Sequence, residues 1–387
     1  MAKARKASKT KSKLMMILYG EPFTGKSTLA LQLAYFKRED GKPFRILYLD
    51  PESGSVDDYL PALEDSGVNL DNIYIVYTQS LGEVREYIAK VKNNEDFYEL
   101  DDEGEETDEI VMDADGEPFR ADAIVVDGAT ILNLTTKQGL VEFSKRRNRV
   151  KADKENLLGE ARLVKIEGAG LELKDYQTIN FKGQDLILDL MASGVHCIVT
   201  AREEDEKVNK EIEGKRESVI TGRKIPSGFK GMDYNARTVI RTYMDEETDM
   251  VCAHVIKDRT GVHKKNEIIE DPTLLDYQAV IDKTAGYNNF VLKNDLTKSV
   301  DVEQKIYEKE ILNKVGEPVK DMKASNTDTN SEEDIDKIKS DIKSIISKLT
   351  AVEKTEFKNK LKEASLPVNF MKVQNVKTLK NILSVLS

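Results

Sequence analysis

LMMILYGEPFTGKST, residues 14–28, decides how the rest of the chain is read. Leu14 to Tyr19 is an unbroken apolar run, the pattern of a short strand buried on both faces. Gly20 to Ser27 fits G-x-x-x-x-G-K-[ST] without a mismatch, and STLALQLAYF (27–36) continues as a helix. Strand, glycine-rich turn and helix in that order make a phosphate cradle. The glycines let backbone N–H groups turn inward, and the helix adds its positive end. Gly20, Glu21, Pro22, Phe23, Thr24, Gly25, Lys26, Ser27 and Thr28 are the expected nucleotide-binding set. Lys26 reaches the β- and γ-phosphates and Ser27 holds Mg²⁺, so the expected ligands are ATP and Mg²⁺.

Outward from this motif the chain alternates. RILYLD (45–50), IYIVYT (73–78), AIVV (123–126) and VHCIVT (195–200) read as buried strands, with helices over 81–92 and 171–193 between them. Strand–helix–strand at this spacing predicts an α/β core with a mostly parallel sheet. Residues 238–243 and 250–256 predict an antiparallel pair turning at DEETD. The stretch FYELDDEGEETDEIVMDADGEPF within 94–120 is strongly acidic and reads as a solvated hairpin inserted in the core.

A phosphate cradle needs a carboxylate for the metal at the end of a buried strand. Asp127 closes Ile124-Val125-Val126 and is the expected second metal residue beside Ser27. Gly128 follows it, so the acid that activates water must come from elsewhere. LYLDPESGS (47–55) offers Glu52 as the base, with Asp50 as the alternative.

The set GEPFTGKST, LYLDPESGS, IVVDGAT, VHCIVTARE and VIKDRTG, over residues 14–270, resembles a RecA-type ATPase core of the wider P-loop (AAA) group. It is most similar to phage nucleotide-binding proteins, including the RecA-like single-strand annealing and recombination ATPases. The resemblance implies a catalytic glutamate beyond the second strand, matching Glu52. It also implies a polar γ-phosphate sensor, matching Thr200. A late-strand Lys-x-Arg pair, matching Lys257 and Arg259, would act on the nucleotide of the next subunit in a homo-oligomeric ring or filament. Single-stranded DNA is the implied partner, held on mobile loops after the two central strands. The matching segments are 144–156, with Lys145, Arg146, Arg147, Arg149 and Lys151, and 202–230, with Arg223, Lys224, Lys230 and Phe229 as a stacking ring. The implied role is a DNA-stimulated ATPase of phage DNA recombination, replication or repair in the bacterial host cytoplasm, working with a phage single-strand-binding or recombination partner. A ring helicase or loader is the alternative motor, disfavoured by the short stretch before the first strand. A nucleotide-dependent switch or scaffold recruiting phage proteins is the other alternative.

Composition narrows the field. The 387 residues carry 59 Lys+Arg against 70 Asp+Glu, a net charge of −11, so any nucleic-acid contact must be local. Two cysteines and three histidines exclude a disulfide framework and a Cys/His zinc module, and point to a reducing compartment. Cys197, Cys252, His196 and His254 read as core residues. No apolar run reaches the ~18 residues of a membrane span. The expected organisation is a basic flexible arm (1–13), the ATPase core (14–290), a polar linker (291–331) and a small helical domain (332–387). In that domain Ile335, Ile338, Ile342, Ile345, Ile346 and Leu349 follow helical spacing.

Overall fold

The computed structural model describes residues 13–284, except 102–103, 105 and 213–214, together with 300, 302–306 and parts of 338–386. The chain divides into two compact units, Met1–Val300 and Asp301–Ser387.

In the first unit the strands are β1 (Met15–Gly20), β2 (Ile46–Asp50), β3 (Ile73–Tyr77), β4 (Tyr98–Leu100), β5 (Glu106–Ile110), β6 (Ala123–Asp127), β7 (His196–Ile212), β8 (Lys215–Ser227), β9 (Thr238–Asp245), β10 (Met250–Asp258) and β11 (Ile268–Glu270). The helices are α1 (Lys26–Leu31), α2 (Leu60–Asp65), α3 (Leu81–Asn93), α4 (Ala129–Lys154), α5 (Gly159–Glu167), α6 (Leu173–Ala192), α7 (Met232–Asn235) and α8 (Gln278–Asp282). The sheet order is β11-β10-β9-β1-β7-β6-β2-β3, with β8 paired to β7. The six strands from β9 to β3 run parallel, whereas β10, β11 and β8 pair antiparallel to their neighbours. The α/β architecture with a mostly parallel central sheet is therefore the one the alternation predicts.

Every residue of β1, β2 and β6 is buried, which is why these strands carry apolar runs rather than alternation. One face of the sheet packs Ile17, Leu47, Val126 and Val199 against α3, α4 and α6 through Val84, Leu132 and Leu186. The other packs Leu18, Tyr48 and Ile198 with Leu29, Leu33 and Tyr277. His196 belongs to this core: its Nδ1 accepts from the Leu14 N–H at 3.2 Å, and burial pushes its pKa down to about 3. Cys197 is buried too, its thiol raised to about 12 by burial.

The acidic insertion is a hairpin of β4 and β5, continued by a bridge between Met112 and Pro118. Buried Phe97, Val111 and Phe119 anchor it beside Tyr74 and Tyr87.

Three expectations change. Residues 144–154 are not a mobile loop but the last turns of α4, a 26-residue helix. The polar stretch after Thr200, read from the resemblance as a mobile loop and from the residues as a long loop or hairpin, is a hairpin: the long β7–β8 ribbon, with Asp205 opposite Lys224 and Val208 opposite Val219. Lys13, assigned to the flexible arm, is half-buried and its Nζ donates to the Thr284 carbonyl at 3.2 Å. The rest of the arm and most of the 291–331 linker lie outside the described residues, although 302–306 is helical.

In the second unit α9 (Val376–Leu386) is described. Ile342, Phe357, Leu361, Leu379 and Ile382 are buried together, with Ile338 and Ile346 packed against them. These stripes thus form a core of their own. Among the described residues, no helix is long and apolar enough to cross a membrane.

Candidate functional site

Parallel strands bring their C-terminal ends to one edge, and the cleft opens there. Between β1 and α1 the chain turns through Gly20–Gly25. A side chain at Gly20 is impossible, because a Cβ would lie 1.8 Å from the Thr242 carbonyl oxygen on β9. Gly25 has φ +75° and starts α1. Buried Thr24 pins the loop, its hydroxyl 2.8 Å from the Glu21 carbonyl and 2.7 Å from the Thr242 hydroxyl. Lys26 folds back and donates to the Glu21 carbonyl. Burial pulls its pKa below the usual lysine value, against the opposing pull of Asp127 and Glu52. Phe23 stands at the loop tip with φ +60°, 94 % exposed.

The carboxylates follow from strand register. Asp127 is paired with Thr200 across β6 and β7, one strand away from β1. It is buried and accepts from the Tyr48 hydroxyl at 2.6 Å, from the Ser55 hydroxyl at 3.0 Å and from Thr200. Ser27 lies near the same phenol. Burial, then the charge and hydrogen bond of Asp127, hold that phenol well above its ordinary pKa. The Thr200 hydroxyl thus donates its proton to the Asp127 carboxylate.

Asp50 and Glu52 separate clearly. Asp50 is fully buried and accepts from the backbone N–H of Glu52, Gly54 and Ser55 at 2.9, 2.7 and 3.0 Å. That bonding shapes the turn after β2 and leaves no face open to water. Glu52 is carried by this turn into the cleft. It lies over Gly128, where a Cβ would come within 2.8 Å of the Glu52 Cγ. Gly128 has φ +127°. The residue after Asp127 is small because the acid from the neighbouring strand occupies its space.

Glu52 is held by Arg202, whose Nη2 and Nε donate to one carboxylate oxygen at 3.0 and 3.3 Å. Arg202, Tyr48, Ser55 and Tyr59 went unnoticed in the sequence. Arg202 alone had a signal there, as the cation two residues beyond Thr200 on the same strand. The cleft has a volume of about 540 Å³ and is lined by the whole 22–28 loop with Glu52, Tyr59, Asp127, Thr200 and Arg202. Ser27 and Asp127 offer hard oxygen donors beside the lysine, which fits Mg²⁺, an ion that takes few protein ligands and fills its shell with phosphate and water. Among the described residues, no cluster of three or more His, Cys, Asp or Glu side chains forms an all-protein metal cage.

Lys257 and Arg259 lie elsewhere. Lys257 is opposite Val239, three residues or about 10 Å along β9 from Thr242 beside the phosphate loop. Its Nζ donates to the Asp233 and Tyr234 carbonyls at 3.3 and 2.8 Å.

The expected DNA residues divide. On α4, Lys145 pairs with Glu142 and Glu167, Arg147 with Asp175 at 2.6 Å, and Lys151 with Glu172 at 3.7 Å. Arg146 and Arg149 are exposed with no ion pair among the described residues. On β8, Arg223 pairs with Glu206 and Lys224 with Asp205. Lys230 is exposed. Phe229 cannot stack on a base: it is 2 % exposed and fills the slot left by Gly183 on α6, where a Cβ would meet its ring at 2.3 Å.

No family model and no curated protein matches the chain. Among solved structures it is similar to the RadB recombinase, at 14 % identity over 67 % of this chain and 87 % of that one, TM-score 0.35. It is also similar to the KaiC-like protein PH0186 of Pyrococcus horikoshii OT3, at 15 % identity over 67 % and 90 %, TM-score 0.34. Likeness of this degree adds nothing to the strand order read directly from the sheet.

Proposed function

We propose that this chain is a RecA-like ATPase that acts on single-stranded DNA, in phage recombination, replication or repair. The observation that supports it most is the convergence of Lys26 and Ser27, Asp127, and Glu52, from three separate segments, on one cleft. ATP would lay its phosphates along the backbone of the 21–27 loop, with Lys26 at the β- and γ-phosphates. Ser27 and Asp127 would hold Mg²⁺, which supplies charge neutralisation on the phosphates. Glu52 would take the proton of the attacking water, and Asp50, Gly128 and Arg202 place it for that task.

The test is ATP turnover with and without single-stranded DNA, alongside mass measurement with a non-hydrolysable ATP analogue. DNA-stimulated turnover with annealing or filament formation supports the reading. Strand displacement points instead to a helicase or loader. Slow turnover indifferent to DNA points to a nucleotide switch.

A further inference from the structure

Arg237, Lys257 and Arg259 gather where β9 begins and β10 ends, the Arg259 N–H donating to the Arg237 carbonyl at 3.0 Å. Among the described residues, none of the three has a carboxylate within ion-pair distance, and the Arg237 Nε is buried without a hydrogen-bond partner. The adjacent acid is spent: Asp258 accepts from Thr238, from both the N–H and hydroxyl of Thr260, and from the His263 N–H at 3.0 Å. Burial, and then repulsion from Arg259, pull Arg237 and Lys257 below their usual pKa values. A cluster of like charges with no counter-ion is costly unless an anion completes it.

Beside the cluster is an open cleft of about 830 Å³, lined by Lys257, Arg259 and Lys265 and also by Arg223 and Lys224 of β8, which are paired with Glu206 and Asp205. Arg241 also lines it, but is taken up by Glu203 and Glu21. Asp233 is the cleft's other acid. At its rim Tyr234 is 81 % exposed. A lone phosphate would need one point of charge; here the cations are spread along a track with an aromatic ring at its edge, the combination that holds single strands.

We infer that this cleft, and not α4 or Phe229, carries the backbone of single-stranded nucleic acid, with Tyr234 as the stacking platform for a base. The inference rests on the DNA reading above and places its track. The probe is a fluorescein-labelled oligothymidylate titrated by anisotropy over a range of salt, using the full chain with a non-hydrolysable ATP analogue. Replacing Lys257, Arg259 and Lys265 together by Gln should lower the log–log salt slope by about 2, at roughly 0.7 per phosphate contact. Tyr234→Ala should weaken binding roughly five- to a hundredfold, the range for one lost base–aromatic stack, and Tyr234→Phe should restore it. Neutralising Arg146 and Arg149 should leave the slope unchanged. Thermal unfolding of each variant checks the fold. The placement is overturned if the α4 variant flattens the slope and the cleft variant does not. It is also overturned if the cleft variant binds DNA normally but loses turnover that mixing with Glu52→Gln subunits restores, since those cations would then serve a neighbour's nucleotide. A wild-type chain that binds no oligonucleotide at low salt removes the DNA reading itself.

Discussion

In the cleft at the end of β1, the polar groups come from loops and strand ends around an open space of about 540 Å³; along α4, equally polar side chains meet a neighbouring layer. The consequences differ. Thr24, Tyr48, Ser55 and Arg202 orient the P-loop and its carboxylates while leaving the backbone of the loop open to a ligand. On α4, the acids of α5 and the start of α6 satisfy Lys145, Arg147 and Lys151. Arg147 and Asp175 are the tightest case, since Asp175 is 5 % exposed and also closes a capping box with Glu172 at the start of α6. Three cations of this basic run are thus engaged by neighbouring acids, while Arg146 and Arg149 stay exposed; charge at the ends of the parallel strands faces an open cleft.

The sharpest way to break this contrast is Glu52→Gln. Turnover should fall about 10²–10⁴-fold, the usual worth of general-base help, with ATP binding kept; steady-state kinetics and a nucleotide titration check both. Near-normal turnover would demote Glu52 to a solvated acid like those opposing α4. Gly128→Ala comes next. Its Cβ would displace Glu52, and a displacement of ~1 Å can cost about a hundredfold in rate. Single-turnover measurements should show slow chemistry with unchanged nucleotide affinity, and an unaltered rate would mean that Glu52 works from another position. Lys26→Ala should weaken binding of a fluorescent ATP analogue about ten- to a hundredfold, as for loss of a charged hydrogen bond worth ~1.5–3 kcal/mol.

The smallest effect belongs to α4. The Arg147 hydrogen bond, then the Glu172 N–H, hold the Asp175 carboxyl below its ordinary pKa. A depressed carboxyl stabilises the fold above its unfolded-state pKa, and that contribution is lost as pH falls through the folded value. The melting temperatures of wild type and Asp175→Asn should therefore differ at neutral pH and converge as pH drops below about 4. A gap independent of pH would show that the pair contributes shape rather than charge.

Chain order alone determined the strand–loop–helix around the glycine-rich turn, the parallel strands and the aspartate that ends β6. Each is a local pattern: an unbroken apolar run, glycines at fixed offsets, an acid at a strand end. The choice of Glu52 over Asp50 was open in the sequence, because two acids two residues apart look alike until one is seen bonded to three backbone amides. Gly128 said only that the acid comes from elsewhere; that its smallness makes room for Glu52 was hidden, since that side chain arrives from the turn after β2. The fates of Phe229 and Arg147 were equally hidden: Gly183 and Asp175, which decide them, lie 46 and 28 residues away along the chain. Burial and counter-ions are properties of neighbours in space, and only the packing of α6 against α4 and the sheet edge supplied those neighbours.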